Sequence, residues 1–203
     1  MLPWSIKYQP KSTSEVQGQP KAIDELLTFL DNFPNKKSAL VYGPPGCGKT
    51  STVHAIAKEK ELEILEVNAS DVRNAQAIRE KLGPAMLQMS LFGKSKLILV
   101  DEVDGVSGSK DRGGLSELRK LIEKSQFPVV MTANNPFDKK FSALRKNANM
   151  IEFRTLSYLS IVSLLKRIIQ SENIDYDEQA LNSLARRVGG DLRGAINDLQ
   201  TLS

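Results

Sequence analysis

The sequence has little of the chemistry that cross-links a chain or holds a metal through soft ligands. It contains a single cysteine, Cys47, and a single histidine, His54, in 203 residues. One cysteine excludes an internal disulfide framework and is typical of a reducing intracellular compartment. A zinc site built by this chain alone is not expected, because such sites draw most of their ligands from Cys and His.

Long apolar runs are also missing. No stretch approaches the roughly 18 consecutive apolar residues that span a bilayer, and the chain continues into polar residues after its first few positions, so we expect neither a membrane span nor a signal peptide. Hydrophobic residues make up 40% of the chain and charged residues 26%, which is ordinary for a globular protein. The formal net charge of +4 is compatible with a nucleotide or nucleic-acid partner without demonstrating one.

Apolar segments alternate with amphipathic segments over the first three quarters of the chain. The strand candidates are 39–42, 62–67, 97–100, 128–132 and 150–153, and the helix candidates are 21–33, 49–59, 75–82 and 114–124. This alternation predicts parallel β-α-β units with helices on both faces of a sheet. From Ser157 onward only helical patterns follow, at 158–172, 177–188 and 191–202, with Ser157 and Asp177 as predicted N-caps. We therefore predict an α/β domain over residues 1–155 and a small helical domain over 156–203, and the helix ending at Ser203 suggests a fragment of a longer protein.

A phosphate-binding pattern, G-x-x-x-x-G-K-[ST], lies between the first strand candidate and a helix candidate. Its residues are Gly43, Pro44, Pro45, Gly46, Cys47, Gly48, Lys49 and Thr50, followed by Ser51. In such a loop the backbone N–H groups surround the β-phosphate, Lys49 bridges the β- and γ-phosphates, and Thr50 is a Mg²⁺ ligand. The alternative is a glycine-rich turn without a ligand. The strand–loop–helix context favours ATP binding.

The second element of the predicted site is acidic and follows the strand candidate at 97–100. There Asp101 is predicted to bind Mg²⁺ with its water shell, and Glu102 to polarise an attacking water. A solvated acidic turn is the alternative. The adjacent glutamate favours hydrolysis over phosphoryl transfer to an acceptor, because a nucleoside kinase has no need of it.

Two further polar groups complete the predicted site. Asn134 follows a buried strand candidate, where its amide can hold a water against the γ-phosphate, although Asn-Asn-Pro is by itself a turn signal. Arg193 opens the last helix and either reaches the γ-phosphate or is an ordinary surface arginine.

The order and spacing of these elements resemble the AAA+ ATPases, and finer features resemble their clamp-loader branch, the large-subunit type of replication factor C in its archaeal form. The residues that carry the resemblance are Trp4 to Lys11, Glu15 to Gln19, Val67 to Asp71, Asp101 to Gly108, Asp111 to Gly114, and Thr132 to Asn134.

The resemblance implies a parallel five-stranded sheet between helices, followed by a helical lid. It implies an ATPase that uses Mg²⁺, acts with replication factor C small subunits in a hetero-oligomer, and loads a PCNA-type sliding clamp onto primer–template DNA. The expected location is cytoplasmic, or nuclear in a eukaryote. The alternatives are a nucleotide-gated subunit that hydrolyses little ATP, and another AAA+ DNA-processing protein such as a checkpoint loader.

The resemblance also assigns roles to individual positions. It assigns the adenine pocket to Tyr8, Pro10, Val16 and Gln17, the γ-phosphate to Asn134 and Arg193, duplex phosphates to Arg73, Arg79 and Arg112, and the clamp to Gln88, Leu91 and Phe92. The alternatives are that the arginines form a solvated helix face, and that the apolar residues around 86–92 cover the chain's own sheet. Small subunits of this family carry an arginine finger where this chain has Lys146-Asn147-Ala148, so the resemblance implies that the chain receives a finger from a neighbour without donating one.

Overall fold

A five-stranded parallel sheet forms the centre of the protein. The computed structural model describes residues 2–71, 74–87, 95–105 and 113–203. The strands are β1 (Ser38–Tyr42), β2 (Glu63–Asn68), β3 (Lys96–Asp101), β4 (Val129–Ala133) and β5 (Ala148–Glu152), in the spatial order β2-β3-β4-β1-β5. All neighbouring strands are parallel, so the carboxyl ends of β1, β3 and β4 meet at one edge of the sheet. The predicted fold class is confirmed.

Nine α-helices surround or follow this sheet in the described part of the chain. They are α1 (Trp4–Lys7), α2 (Pro20–Asp31), α3 (Lys49–Glu59), α4 (Ala75–Leu87), α5 (Gly114–Lys124), α6 (Ser142–Asn147), α7 (Tyr158–Glu172), α8 (Glu178–Arg187) and α9 (Leu192–Leu202). The alternation of side chains along each strand divides the core in two. Leu97 and Leu99 of β3 face α2 and α3, whereas Ile98 and Val100 face α4 and α5.

The prediction that the helix candidate at 75–82 ends at residue 82 is wrong, because α4 continues to Leu87. Gly83 and Pro84 read as a stop signal in the sequence. Met86 nevertheless lies fully buried in the core, and its carbonyl accepts a hydrogen bond from the Gln126 N–H at 3.0 Å. Tertiary packing thus stabilises an extra turn that local propensity disfavours.

The helices α7, α8 and α9 share a third apolar core. Ser157 and Asp177 cap α7 and α8 as predicted, by accepting hydrogen bonds from the Ser160 and Ala180 N–H groups at 3.1 and 2.7 Å. Trp4 of α1 is buried in this core too, so the start of the chain packs against its end. The domain boundary at 155/156 stays a prediction. Within the described residues, no helix is long and apolar enough to cross a membrane.

Candidate nucleotide site

The phosphate-loop pattern forms a tight turn between β1 and α3. Gly46 and Gly48 have φ angles of +68° and +98°, in the left-handed region that favours glycine. Gly43 is confined by packing, since a Cβ there would lie 2.0 Å from the Phe153 carbonyl oxygen. Left-handed glycines are typical of loops whose N–H groups form an anion-binding concavity, and this loop leads into α3, whose positive end attracts anions.

Lys49 is the first residue of α3, and its ammonium folds back over the loop. Its Nζ donates to the carbonyl oxygens of Gly43 and Pro44, each at 2.8 Å, and to Oδ1 of Asn134 at 2.9 Å. Burial lowers the pKa of the ammonium below its ordinary value, against the opposing pull of Asp101 and Asp104. The Lys49 cation is thus partly dehydrated, and its acceptors are uncharged oxygens. Both properties favour the exchange of these contacts for contacts with a phosphate.

The end of β3 places the predicted metal ligands together. Thr50 Oγ1 donates to Asp101 Oδ1 at 2.8 Å. The next residue, Glu102, is exposed and has a φ of +54°, an uncommon conformation for a residue with a side chain. Its N–H donates to Thr132 Oγ1 at 3.0 Å. A hydroxyl and a carboxylate are the hard oxygen ligands that Mg²⁺ prefers, so these residues fit the ion.

The end of β4 carries Asn134, whose amide contacts Lys49. The backbone N–H groups of Asn134 and Asn135 donate to Asp104 Oδ2 at 2.7 and 3.2 Å. Asp104 Oδ1 is buried and has no hydrogen-bond partner among the described residues. The turn after β3 and the end of β4 are therefore joined directly.

The helical lid touches the phosphate loop through the start of α9. The Leu192 N–H donates to the Gly46 carbonyl oxygen at 3.2 Å, and a Cβ on Gly46 would lie 1.8 Å from Asp191 Oδ1. Asp191 also caps α9 by accepting from the Gly194 N–H at 2.9 Å. Arg193, the second residue of α9, reaches the same cavity as Lys49.

One cavity of about 540 Å³ extends from the loop to the lid, within the roughly 300–1,000 Å³ range of ligand pockets. Tyr8, Pro10, Val16 and Gln17 line it away from the phosphate loop. The Tyr8 hydroxyl donates to Glu172 Oε1 of α7 at 2.6 Å, so the ring has a fixed position.

Most of the predicted nucleotide residues meet in this cavity. From the loop, Pro45, Gly46, Cys47, Gly48, Lys49, Thr50 and Ser51 line it, together with Asp101, Glu102, Asn134 and Arg193. Gly43 and Pro44 contribute carbonyl groups behind Lys49. Cys47 is buried, and burial raises the pKa of its thiol, which disfavours a reactive thiolate.

Several predicted partner-binding residues lie elsewhere. Arg79 is on α4, where its Nε donates to Glu117 Oε1 at 2.8 Å while the rest of the side chain is largely exposed. Arg73, Arg112, Gln88, Leu91 and Phe92 lie outside the described residues. Met86, close to the predicted clamp segment, belongs to the chain's own core.

The segment that the resemblance aligns with the arginine finger of the small subunits lies at the end of α6. Lys146 and Asn147 end α6, and Arg145 donates to the Pro136 and Asp138 carbonyl oxygens and lies over the Phe137 ring. Arg145 is therefore engaged with its own loop.

Sequence reasoning missed contributors that act through tertiary contacts. Thr132 hydrogen-bonds to both Asp101 and Glu102, which together form the acidic pair at the end of β3. Asp104 accepts a hydrogen bond from the Asn134 N–H. The lid lines the cavity with Leu164, Arg167, Ile168, Ser171, Leu192 and Ile196. One local signal existed for Thr132, which is a polar residue inside the otherwise apolar strand β4.

The fold and the geometry of the site define a P-loop ATPase of the AAA class. The model of the ATPase family associated with various cellular activities (AAA) matches residues 39–156, and the chain belongs to this family.

Over its full length the chain is similar to the replication factor C large subunits. It is 48% identical to that of Staphylothermus marinus, with 100% of this chain and 49% of that protein aligned. It is 46% identical to that of Nanoarchaeum equitans (99% and 47%) and 42% identical to that of Methanococcus maripaludis strain C5 (100% and 43%). The resemblance predicted from the motifs is confirmed. The chain spans about half the length of these curated relatives.

Proposed function

We propose that this chain is the ATP-hydrolysing core of a clamp-loader large subunit, which opens a sliding clamp and loads it onto primed DNA. The observation that supports the ATPase part is the shared cavity. The phosphate loop, the acidic end of β3, the amide at the end of β4 and the guanidinium of α9 all line it. The names of the full-length relatives support the clamp-loader part, and favour it over another AAA+ DNA-processing protein.

In this proposal the loop N–H groups and Lys49 bind the phosphates, while Tyr8, Pro10, Val16 and Gln17 surround the adenine. Lys49 exchanges its carbonyl contacts for phosphate oxygens, which are stronger acceptors because they are charged. The lid closes the cavity from the opposite side.

Hydrolysis is assigned to the polar groups at the strand ends. Mg²⁺ held by Thr50 and Asp101 would neutralise charge on the phosphates. The exposed carboxylate of Glu102 accepts a proton from the attacking water, and the amide of Asn134 orients that water. Arg193 stabilises negative charge on the γ-phosphate from the lid.

A second candidate is a nucleotide-gated binding subunit that hydrolyses little ATP. Arg145 donates to carbonyl oxygens of its own loop and positions 146–147 carry no arginine, so a second copy of this chain would not supply a finger. A finger from a neighbouring subunit typically adds roughly 10³–10⁵ in rate, so we expect the isolated chain to hydrolyse ATP slowly.

The partners follow from the same proposal. Replication factor C small subunits would supply the finger, Arg73, Arg79 and Arg112 would bind duplex phosphates, and Gln88, Leu91 and Phe92 would contact the clamp. Arg79 uses one of its five N–H donors for Glu117, so donors remain for a phosphate. A replication role places the protein with the DNA, in the cytoplasm or in a nucleus.

Single-turnover ATP hydrolysis tests this proposal, measured with small subunits, clamp and primed DNA present. Glu102→Gln should bind ATP normally and hydrolyse it about 10²–10⁴-fold more slowly, because general-base catalysis is lost. Glu123→Gln makes the same charge change at an exposed position of α5 and should behave as the wild type. Equal rates for Glu102→Gln and the wild type would leave the nucleotide-gated function in place of the ATPase.

A further inference from the structure

The contacts between β3 and β4 hold the acidic pair in place from the neighbouring strand. In the register of β3 and β4, Val100 lies opposite Met131, which brings Asp101 alongside Thr132. Strand alternation turns Thr132 to the same face of the sheet as Val130, the face that carries α3 and the phosphate loop. The Thr132 side chain therefore lies between the two strands' functional ends.

The Thr132 hydroxyl makes two hydrogen bonds there, one as donor and one as acceptor. It donates to Asp101 Oδ1 at 2.5 Å and accepts from the Glu102 N–H at 3.0 Å. Asp101 Oδ1 also accepts from Thr50, so the two hydroxyls restrict the carboxylate to one rotamer. Thr132 itself is 1% exposed and lies in β4, the middle strand of the sheet, so its side chain cannot turn toward solvent.

The acceptor bond matters because of the backbone of Glu102. A φ of +54° is strained for a residue with a Cβ, and such strain persists only where surrounding contacts hold it. The contact from Thr132 is a hydrogen bond to the N–H of that residue. Loss of this bond removes one of the contacts that hold the Glu102 backbone, so the position of its carboxylate becomes less restricted.

We propose that Thr132 is a positioning residue of the ATP site, which sets the orientation of Asp101 toward Mg²⁺ and of Glu102 toward the attacking water. This inference deepens the proposed ATPase function and rests on it. Groups that orient a metal ligand through a hydrogen bond typically contribute about 10–100-fold to metal affinity or activity.

The test compares three substitutions at two buried residues that carry a hydroxyl group, Thr132 and Ser125. Thr132→Val keeps the shape of the side chain and removes both hydrogen bonds, whereas Thr132→Ser keeps the hydroxyl. Ser125→Ala is the matched control: Ser125 is also fully buried and its Oγ also makes a donor and an acceptor contact, both to Phe127, but it lies beyond the opposite end of β4.

The first measurement is the Mg²⁺ concentration that half-saturates binding of a fluorescent ATP analogue to the chain. The second is single-turnover hydrolysis with partner subunits present, and urea unfolding reports the stability of each variant. Thr132→Val should raise the half-saturating Mg²⁺ concentration or lower the rate by about 10–100-fold, and Thr132→Ser should stay close to the wild type. Ser125→Ala should lose stability without a change in Mg²⁺ dependence.

A Thr132→Val protein that differs from the wild type no more than Ser125→Ala does, in both measurements, would overturn the inference. A Thr132→Ser protein as impaired as Thr132→Val would also overturn it, because the hydroxyl would then not be the cause. Failure of the ATPase proposal looks different: the wild type would hydrolyse ATP no faster than Glu102→Gln, while the Mg²⁺ dependence of binding would still report on Thr132.

Discussion

The contact between Gly46 and Asp191 predicts how the phosphate loop depends on the lid. A methyl group on Gly46 would lie 1.8 Å from Asp191 Oδ1 and 2.5 Å from its Cγ, both well inside contact distance. Gly189 provides a matched control, because its φ of +59° is close to the +68° of Gly46, yet a Cβ there meets nothing within 4 Å. The substitutions Gly46→Ala and Gly189→Ala therefore share the backbone effect and differ in the steric one.

The shared effect is small. A left-handed residue with a Cβ costs about 1–2 kcal/mol, and the lower entropy of the unfolded chain offsets about 0.4–1 kcal/mol. Gly189→Ala should therefore lower the free energy of unfolding by about 1 kcal/mol, which corresponds to a fall in Tm of about 2–4 °C for a chain of this size. ATP affinity should not change.

Gly46→Ala should add a second loss, because Asp191 has to move. That movement breaks the bond from the Leu192 N–H to the loop, worth about 1 kcal/mol, and disturbs the cap of α9, worth about 1 kcal/mol more. ATP affinity should fall as well, since Arg193 follows Asp191. Urea unfolding and titration with a fluorescent ATP analogue measure the two effects.

The double variant Gly46→Ala/Asp191→Gly separates the clash from other effects on the loop. Glycine at an N-cap costs only a few tenths of a kcal/mol, and it removes the two atoms nearest to the new methyl group. ATP affinity should partly recover relative to Gly46→Ala alone. The reasoning is refuted if Gly46→Ala and Gly189→Ala have equal effects on stability and on affinity.

Two further predictions concern single cations. Burial lowers the pKa of Lys49 in the free protein, and phosphate contacts should raise it. ATP binding should therefore take up protons, and it should weaken as the pH rises through the pKa of free Lys49. Isothermal titration calorimetry in buffers of different ionisation enthalpy measures this uptake, and Lys49→Arg should abolish it because arginine stays charged; the same uptake in both proteins would contradict the assignment. Arg79→Ala should reduce the salt dependence of primed-DNA binding by about one unit of slope, whereas Arg186→Ala, in the lid, should not. An unchanged slope would return Arg79 to the solvated-face alternative.

Local patterns were sufficient to predict the bounds of a helix where one stretch of chain carries its own start and end signals. The helices at 49–59, 114–124 and 158–172 have the predicted bounds, because their apolar spacing agrees with their caps and with the glycines that precede two of them. The predicted end of α4 was wrong for the opposite reason. There the local signal, Gly83-Pro84, conflicts with the burial of Met86, and burial determines the outcome.

The residues of the candidate site also fall into two groups, those that a local motif predicts and those that only tertiary contacts reveal. The phosphate loop, the acidic pair and Asn134 were predicted from sequence because each is a short motif at the end of an apolar strand. Their roles stay predictions, although the structure brings them to one cavity. The engagement of Arg145 with its own loop had no sequence signal, because Pro136, Asp138 and Phe137 reach it only after the chain turns back.

The sequence by itself therefore determined the class of fold, the phosphate loop and the residue types that can bind Mg²⁺ and a nucleotide. These depend on spacing within a few residues, where strand and helix periodicity constrain side-chain directions. Only the tertiary structure decided how the parts constrain one another: Thr132 against Asp101 and Glu102, Asp104 against Asn134, and Asp191 against Gly46. The physical reason is that β3, β4 and α9 are distant in the chain, and only the strand order and the docking of the lid bring their hydrogen-bonding groups within 3 Å or so of each other.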